Sequence, residues 1–311
     1  MSGDELHRFG GRHTDAKLKK LSQYMSTYTT ALKDQGFVLA YIDAFAGSGD
    51  RTETHPTLPL FAAPGLEPET VSVAGSARLA FETKPPFEVM VLVEKDPGRF
   101  ASLEKLSRDY PDQKVRLAKD DANDVVQKLC KRLPWHGSPD MPKGMRGLLF
   151  LDPYGMEVRW ETIEAVAATK AIDMWCFFPL MGLYRQAARE QFRIDDKKRS
   201  MLNLVLGTSE WENDWYKPVE RPLSMFDLME DEEIRIRTAD VDAIEGYVQR
   251  RLQSIFRGVV LPPSRITNAR GAPLASLFFA MANPSPKAVA VGKRIAAHIL
   301  NAGSSSHSRP R

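Results

Sequence analysis

The sequence predicts an α/β chain: a Rossmann-like sheet with seven strands, mostly parallel, a terminal antiparallel hairpin and a helical insertion. Three observations predict it. Short apolar runs alternate with helical stretches from about residue 37 to residue 178, the rhythm of right-handed crossovers onto a parallel sheet. Those runs end in acids, with Asp43, Glu94 and Asp152 closing three of them and Asp121 just after a fourth. The first run opens into Ala46, Gly47, Ser48 and Gly49, where two glycines let the backbone turn sharply and come close to a ligand.

The chain has 311 residues, enough to bury a substantial core. Hydrophobic residues make up 43% and charged residues 27%, which suits a globular chain and argues against disorder. The formal net charge of +3 is compatible with nucleic acid but too mild to argue for it. Cys130 and Cys176 lie in apolar contexts and offer neither a disulfide framework nor a metal spacing. That pattern points to a reducing, cytoplasmic setting. The amino terminus has no apolar signal core, and no run is long enough to span a bilayer, so no membrane partner is expected.

Taken in order, residues 1–13 are polar and expected to be flexible. Asp15 to Lys33 carries Leu18, Leu21, Tyr24, Met25, Tyr28 and Leu32 at helical spacing, with Thr14 or Asp15 as the cap. Phe37 to Ile42 is an apolar run rich in β-branched and aromatic types, read as a strand buried on both faces. Asp50 to Gly75 holds Pro56, Pro59, Pro64 and Pro68 and reads as a long loop. Ser76 to Glu82 is a short helix. Phe87 to Glu94 is the second strand, and Pro97 to Tyr110 its crossover helix. Lys114 to Lys119 is a third strand, Ala122 to Leu133 a helix stopped by Pro134, and Gly147 to Asp152 the fourth strand. Glu161 to Thr169 is helical, and Ile172 to Phe178 is the fifth strand, ended by Pro179.

The rhythm breaks there. Residues 181–257 read as a charged, helical insertion or lid, whose runs such as DDKKR and EDEE suit a solvated face. Val259 to Thr267 and Leu274 to Ala282 form the expected hairpin, followed by a helix from Pro286 to Leu300. The whole reads as one domain over residues 14–301, with a disordered tail at 302–311.

The acids carry the chemical argument. In a parallel sheet the strand ends share one edge, so Asp43, Glu94, Asp121 and Asp152 face one crevice. Any one of them alone is more simply a helix cap or a loop charge; the ordered set is not. Glu94 is placed for both hydroxyls of a ribose. Asp121 can accept from an adenine amino group, with a neighbouring backbone N–H completing the base edge. Asp43 can meet a positively charged amino acid moiety. Together they suit S-adenosyl-L-methionine better than a dinucleotide, because a pyrophosphate amid carboxylates is electrostatically poor. The second signal is Asp152-Pro153-Tyr154-Gly155. Pro153 fixes the turn, Tyr154 offers a flat face for stacking or packs in the core, and Asp152 can accept from an amine.

These motifs resemble a known group. DAFAGSG at 43–49 is similar to the first motif of class I methyltransferases, LVEKD at 92–96 to their ribose-binding motif, and KDDAN at 119–123 to their adenine-binding motif. LDPYG at 151–155 resembles a variant of the Asp/Asn-Pro-Pro-Tyr motif of amino methyltransferases. HTDAKLKKLSQYMSTY, GSARLAF, FLDPYGMEVRW and IDMWCFFP extend the resemblance to the three-Cys-motif partner family over most of residues 12–182. It implies cofactor contacts from Asp43, Phe45, Ala46, Gly47, Gly49, Glu94, Lys95, Asp121, Ala122 and Asp152. It also implies catalytic roles for Asp152, Pro153 and Tyr154, and a three-Cys-motif protein as a partner. Two features depart from the pattern: the long stretch between Gly49 and the next helix, and a fourth motif with one proline fewer.

Three functional readings follow. One is N-methylation of a base in DNA or RNA, with the base flipped out toward Asp152 and Tyr154 and with Arg51, Lys143, Arg146, Arg159 and Arg185 near the same edge. The bland reading of most of those five is scattered surface charge. The second is the same chemistry on a protein amide. The third is a non-catalytic partner protein that keeps the fold.

Overall fold

A computed structural model of the chain describes residues 12–55, 69–219, 234–268 and 271–301. The expected loose amino terminus up to residue 11 and the tail at 302–311 lie outside the described residues. Two compact units divide the chain, one formed by residues up to Phe150 together with those from Val291 onward, the other by Leu151–Ala290.

The first unit is built on parallel strands. β1 (Val38–Asp43) pairs with β4 (Val89–Val93) on one side and β6 (Met145–Leu151) on the other, and β4 pairs with β5 (Val115–Ala118). Tyr41, Ile42, Met90, Leu92, Leu148 and Leu149 are fully buried, because a strand covered on both faces selects continuous apolar runs. α1 (Arg12–Leu32) begins three residues before the expected Asp15, so the caps expected at Thr14 or Asp15 fall inside the helix. Its Leu18, Leu21, Tyr24, Met25 and Tyr28 are buried. The Tyr28 hydroxyl donates to the Gly147 carbonyl of β6 at 3.2 Å.

The expected loop at 50–75 is in part a ribbon. β2 (Asp50–His55) and β3 (Glu69–Ala74) pair antiparallel, with Asp50 opposite Ala74. Thr52 and Thr54, then Thr70 and the Val71–Val73 stretch, supply a β-prone pattern. Residues 56–68, with all four prolines of that stretch, lie outside the described residues. Three helices then follow, each at its expected position. They are α2 (Ser76–Glu82), α3 (Pro97–Arg108), capped by Asp96 accepting from the Arg99 N–H, and α4 (Ala122–Arg132), capped by Asp121.

The second unit holds α5 (Trp160–Ala168), β7 (Ile172–Phe178) and a mostly helical insertion: α6 (Leu180–Gln186), α7 (Asp196–Leu206), α8 (Trp211–Trp215) and α9 (Val241–Ile255). The insertion is not wholly helical. β8 (Tyr216–Pro218) and β9 (Arg235–Arg237) form a short antiparallel ribbon, too brief to leave a period in the sequence. Gly207 ends α7 at φ +68°, and a Cβ there would lie 2.1 Å from the Trp160 ring of α5. Only glycine allows that approach.

The terminal hairpin is present. β10 (Val259–Val260) and β11 (Ser264–Thr267) both pair antiparallel with β12 (Pro273–Met281), which in turn runs antiparallel to β7. Pro262 and Pro263 lack N–H donors and divide what would be one strand into β10 and β11. The strand order is β10-β12-β7-β6-β1-β4-β5, with β11 also on β12. α10 (Pro286–Asn301) ends the described chain. This is the Rossmann-like methyltransferase fold the sequence predicts: seven strand positions, mostly parallel, with an antiparallel edge. No helix among the described residues is long and apolar enough to cross a membrane.

Candidate functional site

The pairing of β1 with β4, and of β4 with β5, is parallel, so Asp43, Glu94 and Asp121 follow strand ends on one edge of the sheet. Asp43 closes β1 and is fully buried. Its Oδ2 accepts from the Tyr41 hydroxyl at 3.2 Å and its Oδ1 from the Phe45 backbone N–H at 3.2 Å. Tyr41 stands two residues earlier on the same strand face, so the strand period itself supplies the partner. The Ala46 N–H donates to the Val93 carbonyl at 2.9 Å, which ties the turn after β1 to the end of β4.

Gly47 and Gly49 adopt φ +62° and +83°, the left-handed region that glycine tolerates. Gly49 is also held by packing: a Cβ there would lie 2.3 Å from Leu106 Cδ2 of α3. The Gly75 N–H donates to the Gly49 carbonyl at 3.0 Å. The β2–β3 ribbon therefore returns the chain to the turn it left, and α2 starts beside the glycines despite the long stretch between. The long separation of Gly49 from the next helix in sequence is therefore not a separation in space. Arg78 of α2 locks the junction, with Nε and Nη2 donating to the two Asp50 oxygens at 2.5 and 2.6 Å.

Glu94 follows β4 and is 5% exposed. Its Oε1 accepts from the Asp96 N–H at 2.8 Å and lies 3.3 Å from Arg99 Nη2. Among the described residues Oε2 has no such partner. Lys95 beside it is exposed. Asp121 Oδ1 accepts from the Asn123 and Asp124 N–H groups at 3.0 and 3.3 Å, so this acid is a helix cap as well as an edge acid. Ala122 is buried behind it. Neither Tyr41, expected only as part of the first strand, nor Arg99 is among the site residues the sequence predicts; the signal for Arg99 is its place in the first turn of the helix that follows Glu94.

In the second unit, Asp152 follows the end of β6. Asp152 is half-buried and Pro153 buried, whereas Tyr154 is 62% exposed. Tyr154 is thus not a core residue, the bland alternative the sequence left open. Burial, and then the negative charge of Asp152, push the Cys176 thiol of β7 up to about 12. Met156 packs on α6: its Cγ and Sδ would lie 3.3 Å from a Cβ on Gly182.

The five basic groups separate. Lys143 and Arg146 belong to the opposite edge. Lys143 Nζ donates to the Gln35 carbonyl at 2.8 Å, and the Arg146 guanidinium sits 4.1 Å over the Phe37 ring. Both come at or before the start of β6, and in a parallel sheet a strand's start faces away from the edge where its neighbours end. Arg185 is exposed on α6, and Arg159 stands at the N-cap of α5. The side chain of Arg51 lies outside the described residues.

No family model matches the chain, and no curated protein matches it in sequence. Among solved structures it is similar to the Legionella pneumophila protein LPL1258, at 13% identity and a TM-score of 0.48, over 94% of this chain and 95% of that one. An S-adenosylmethionine-dependent methyltransferase from Clostridium acetobutylicum matches at 11% identity and a TM-score of 0.35, over 82% of this chain and 90% of that one. Trm1 from Pyrococcus horikoshii, solved with S-adenosyl-L-methionine, matches at 9% and 0.33, over 92% and 75% of the two chains. Likenesses this distant speak to no residue and no activity; the strand order carries the fold.

Proposed function

We propose that the chain is an S-adenosyl-L-methionine-dependent N-methyltransferase acting on an exocyclic amine of a nucleic-acid base. The observation that carries this reading is Glu94 at the end of β4, a largely buried residue whose Oε1 is held by the protein while Oε2 has no partner among the described residues. A carboxylate oriented through one oxygen leaves the other to accept a strong, charge-assisted hydrogen bond from a ligand. A ribose hydroxyl suits that oxygen. Asp43, Phe45, Ala46, Gly47, Gly49, Lys95, Asp121 and Ala122 would line the rest of the cofactor's path along the same edge. When bound, the cofactor supplies an electrophilic methyl group on a sulfonium.

The protein's own work is positioning. Asp152 accepts a hydrogen bond from the acceptor nitrogen, aims its lone pair and takes the released proton. Pro153, buried, holds the turn. Tyr154 presents an exposed ring on which a flipped base can stack. The motif resemblance to the three-Cys-motif partner family belongs to this reading, as do a three-Cys-motif protein as partner and a cytoplasmic setting.

The test is incubation with labelled S-adenosyl-L-methionine and total cellular DNA, RNA and protein. Label in a nucleic-acid fraction, recovered as an N-methylated base, is the expected result. Label in protein alone would replace the base with a side-chain amide. Cofactor binding with no label in any fraction would make the chain a non-catalytic partner.

A further inference from the structure

Four arginines of the second unit gather around α6 and β9 without a carboxylate among the described residues to neutralise them. Arg237 is the centre. Its guanidinium lies 3.5 Å over the Tyr184 ring of α6, and its Nη1 donates to the Tyr184 carbonyl at 3.1 Å. Its Nε is buried with no hydrogen-bond partner. The Arg237 backbone N–H donates to the Arg189 carbonyl at 2.7 Å, which brings the 189 segment alongside β9. Arg235 shares the Arg237 face of β9, and its Nη2 donates to the Tyr216 carbonyl at 3.1 Å. Arg185 follows Tyr184 and is exposed, as is Arg189.

Nearby acids are engaged elsewhere. Glu190 pairs with Arg193 at 2.5 Å, and Glu212 pairs with Arg199 at 2.9 Å while accepting from Gln191 at 2.6 Å.

A guanidinium stacked on an aromatic ring is held in a fixed orientation, which leaves Nη2 of Arg237 to donate to a phosphate oxygen. Position selects the source. α6 begins two residues after the end of β7, and Met156, two residues beyond the exposed Tyr154, packs on Gly182 of the same helix. The arginine cluster therefore lies along the helix that abuts the turn proposed to hold the acceptor base.

We propose that Arg237, with Arg185, Arg189 and Arg235, is a phosphate-binding subsite that holds the sugar–phosphate backbone beside the target base. This deepens the functional reading above and rests on it. The subsite anchors the strand while Tyr154 takes the base.

The test is fluorescence anisotropy with a labelled single-stranded oligonucleotide, RNA and DNA in parallel, across a salt series. The Arg237→Gln variant should bind roughly tenfold more weakly, with the slope of log affinity against log salt shallower by about 0.7 for each phosphate that the variant no longer neutralises. The exposed pair Arg185→Gln with Arg189→Gln should move both quantities in the same direction. That pair decides the matter if the circular-dichroism melt shows that Arg237→Gln does not fold. Calorimetry should give an unchanged affinity for S-adenosyl-L-methionine in the folded variants. Wild-type binding that keeps its affinity and slope in the folded variants overturns the subsite alone. A wild-type protein that binds neither oligonucleotide overturns the subsite together with the reading beneath it.

Discussion

Arg99 Nη2 lies 3.3 Å from Oε1 of Glu94, so a helix residue five positions downstream holds the acid at the end of β4. With the Asp96 N–H on the same oxygen, the carboxylate is fixed before any ligand arrives. Preorganisation of this kind removes part of the ordering cost of binding.

Glu94→Ala should weaken S-adenosyl-L-methionine binding by roughly 1.5–3 kcal/mol, the scale of a hydrogen bond to a charged group. Arg99→Ala should weaken it less, since the acid remains and only its orientation is lost. Calorimetry on folded variants measures both. An unchanged constant for Glu94→Ala would sink the assigned role.

Asp152→Ala should leave cofactor affinity nearly intact and lower turnover by about 10²-fold or more, as misplacement of a reacting group alone can do. Tyr154→Ala should weaken acceptor binding by roughly 1–3 kcal/mol if a base stacks there. Because Tyr154 is 62% exposed, the same change should barely move the melting temperature. Loss of cofactor binding in Asp152→Ala, with turnover spared at saturating cofactor, would assign the turn to the cofactor.

Gly49→Ala should destabilise the fold through two causes. The left-handed conformation at φ +83° costs a side chain about 1–2 kcal/mol, and Leu106 Cδ2 occupies the place of the new methyl. Adding Leu106→Ala should recover the steric part relative to Gly49→Ala, leaving the backbone part and the cavity that the truncation opens. A double mutant that behaves as the plain sum of the singles, read from denaturant midpoints, would show that the two positions do not meet.

Alkali should destabilise the protein. Burial pushes the thiols of Cys130 and Cys176 up to about 12, and the phenols of Tyr216 and Tyr247 likewise. In an unfolded chain such groups lose their protons near about 8.5 and 10. Between those values and about 12 the folded chain holds more protons, so stability is full at lower pH and is lost as pH rises through that window. Each group contributes at most about 1.4 kcal/mol per pH unit. A denaturant midpoint that stays flat between pH 8.5 and 11 would contradict this. Cys176, fully enclosed, should also resist thiol reagents until the protein unfolds.

The strands of the parallel sheet were legible because burial on both faces leaves unbroken apolar runs, and the Ile172–Phe178 bounds agree at both ends. So do those of Ser76–Glu82. The two small ribbons were not legible. β8 and β9 are three residues each, and β2–β3 is masked by the prolines between its strands. The edge acids Asp43, Glu94 and Asp121 could be read from their place after apolar runs. Their partners could not, because Arg99 and Tyr41 act through geometry. Lys143 and Arg146 were placed at the wrong edge because nearness in sequence to a functional strand says nothing about which end of it a residue occupies.

The contact between Gly49 and Gly75 makes the stretch from Asp50 to Ala74 a side branch on the trunk of the fold. The chain departs and rejoins at a single point, and the trunk on either side is held by its own packing. Such a branch can be lengthened or shortened at its tip, with the Arg78–Asp50 clamp kept at its base. Changes of length at its tip leave the order of the sheet untouched.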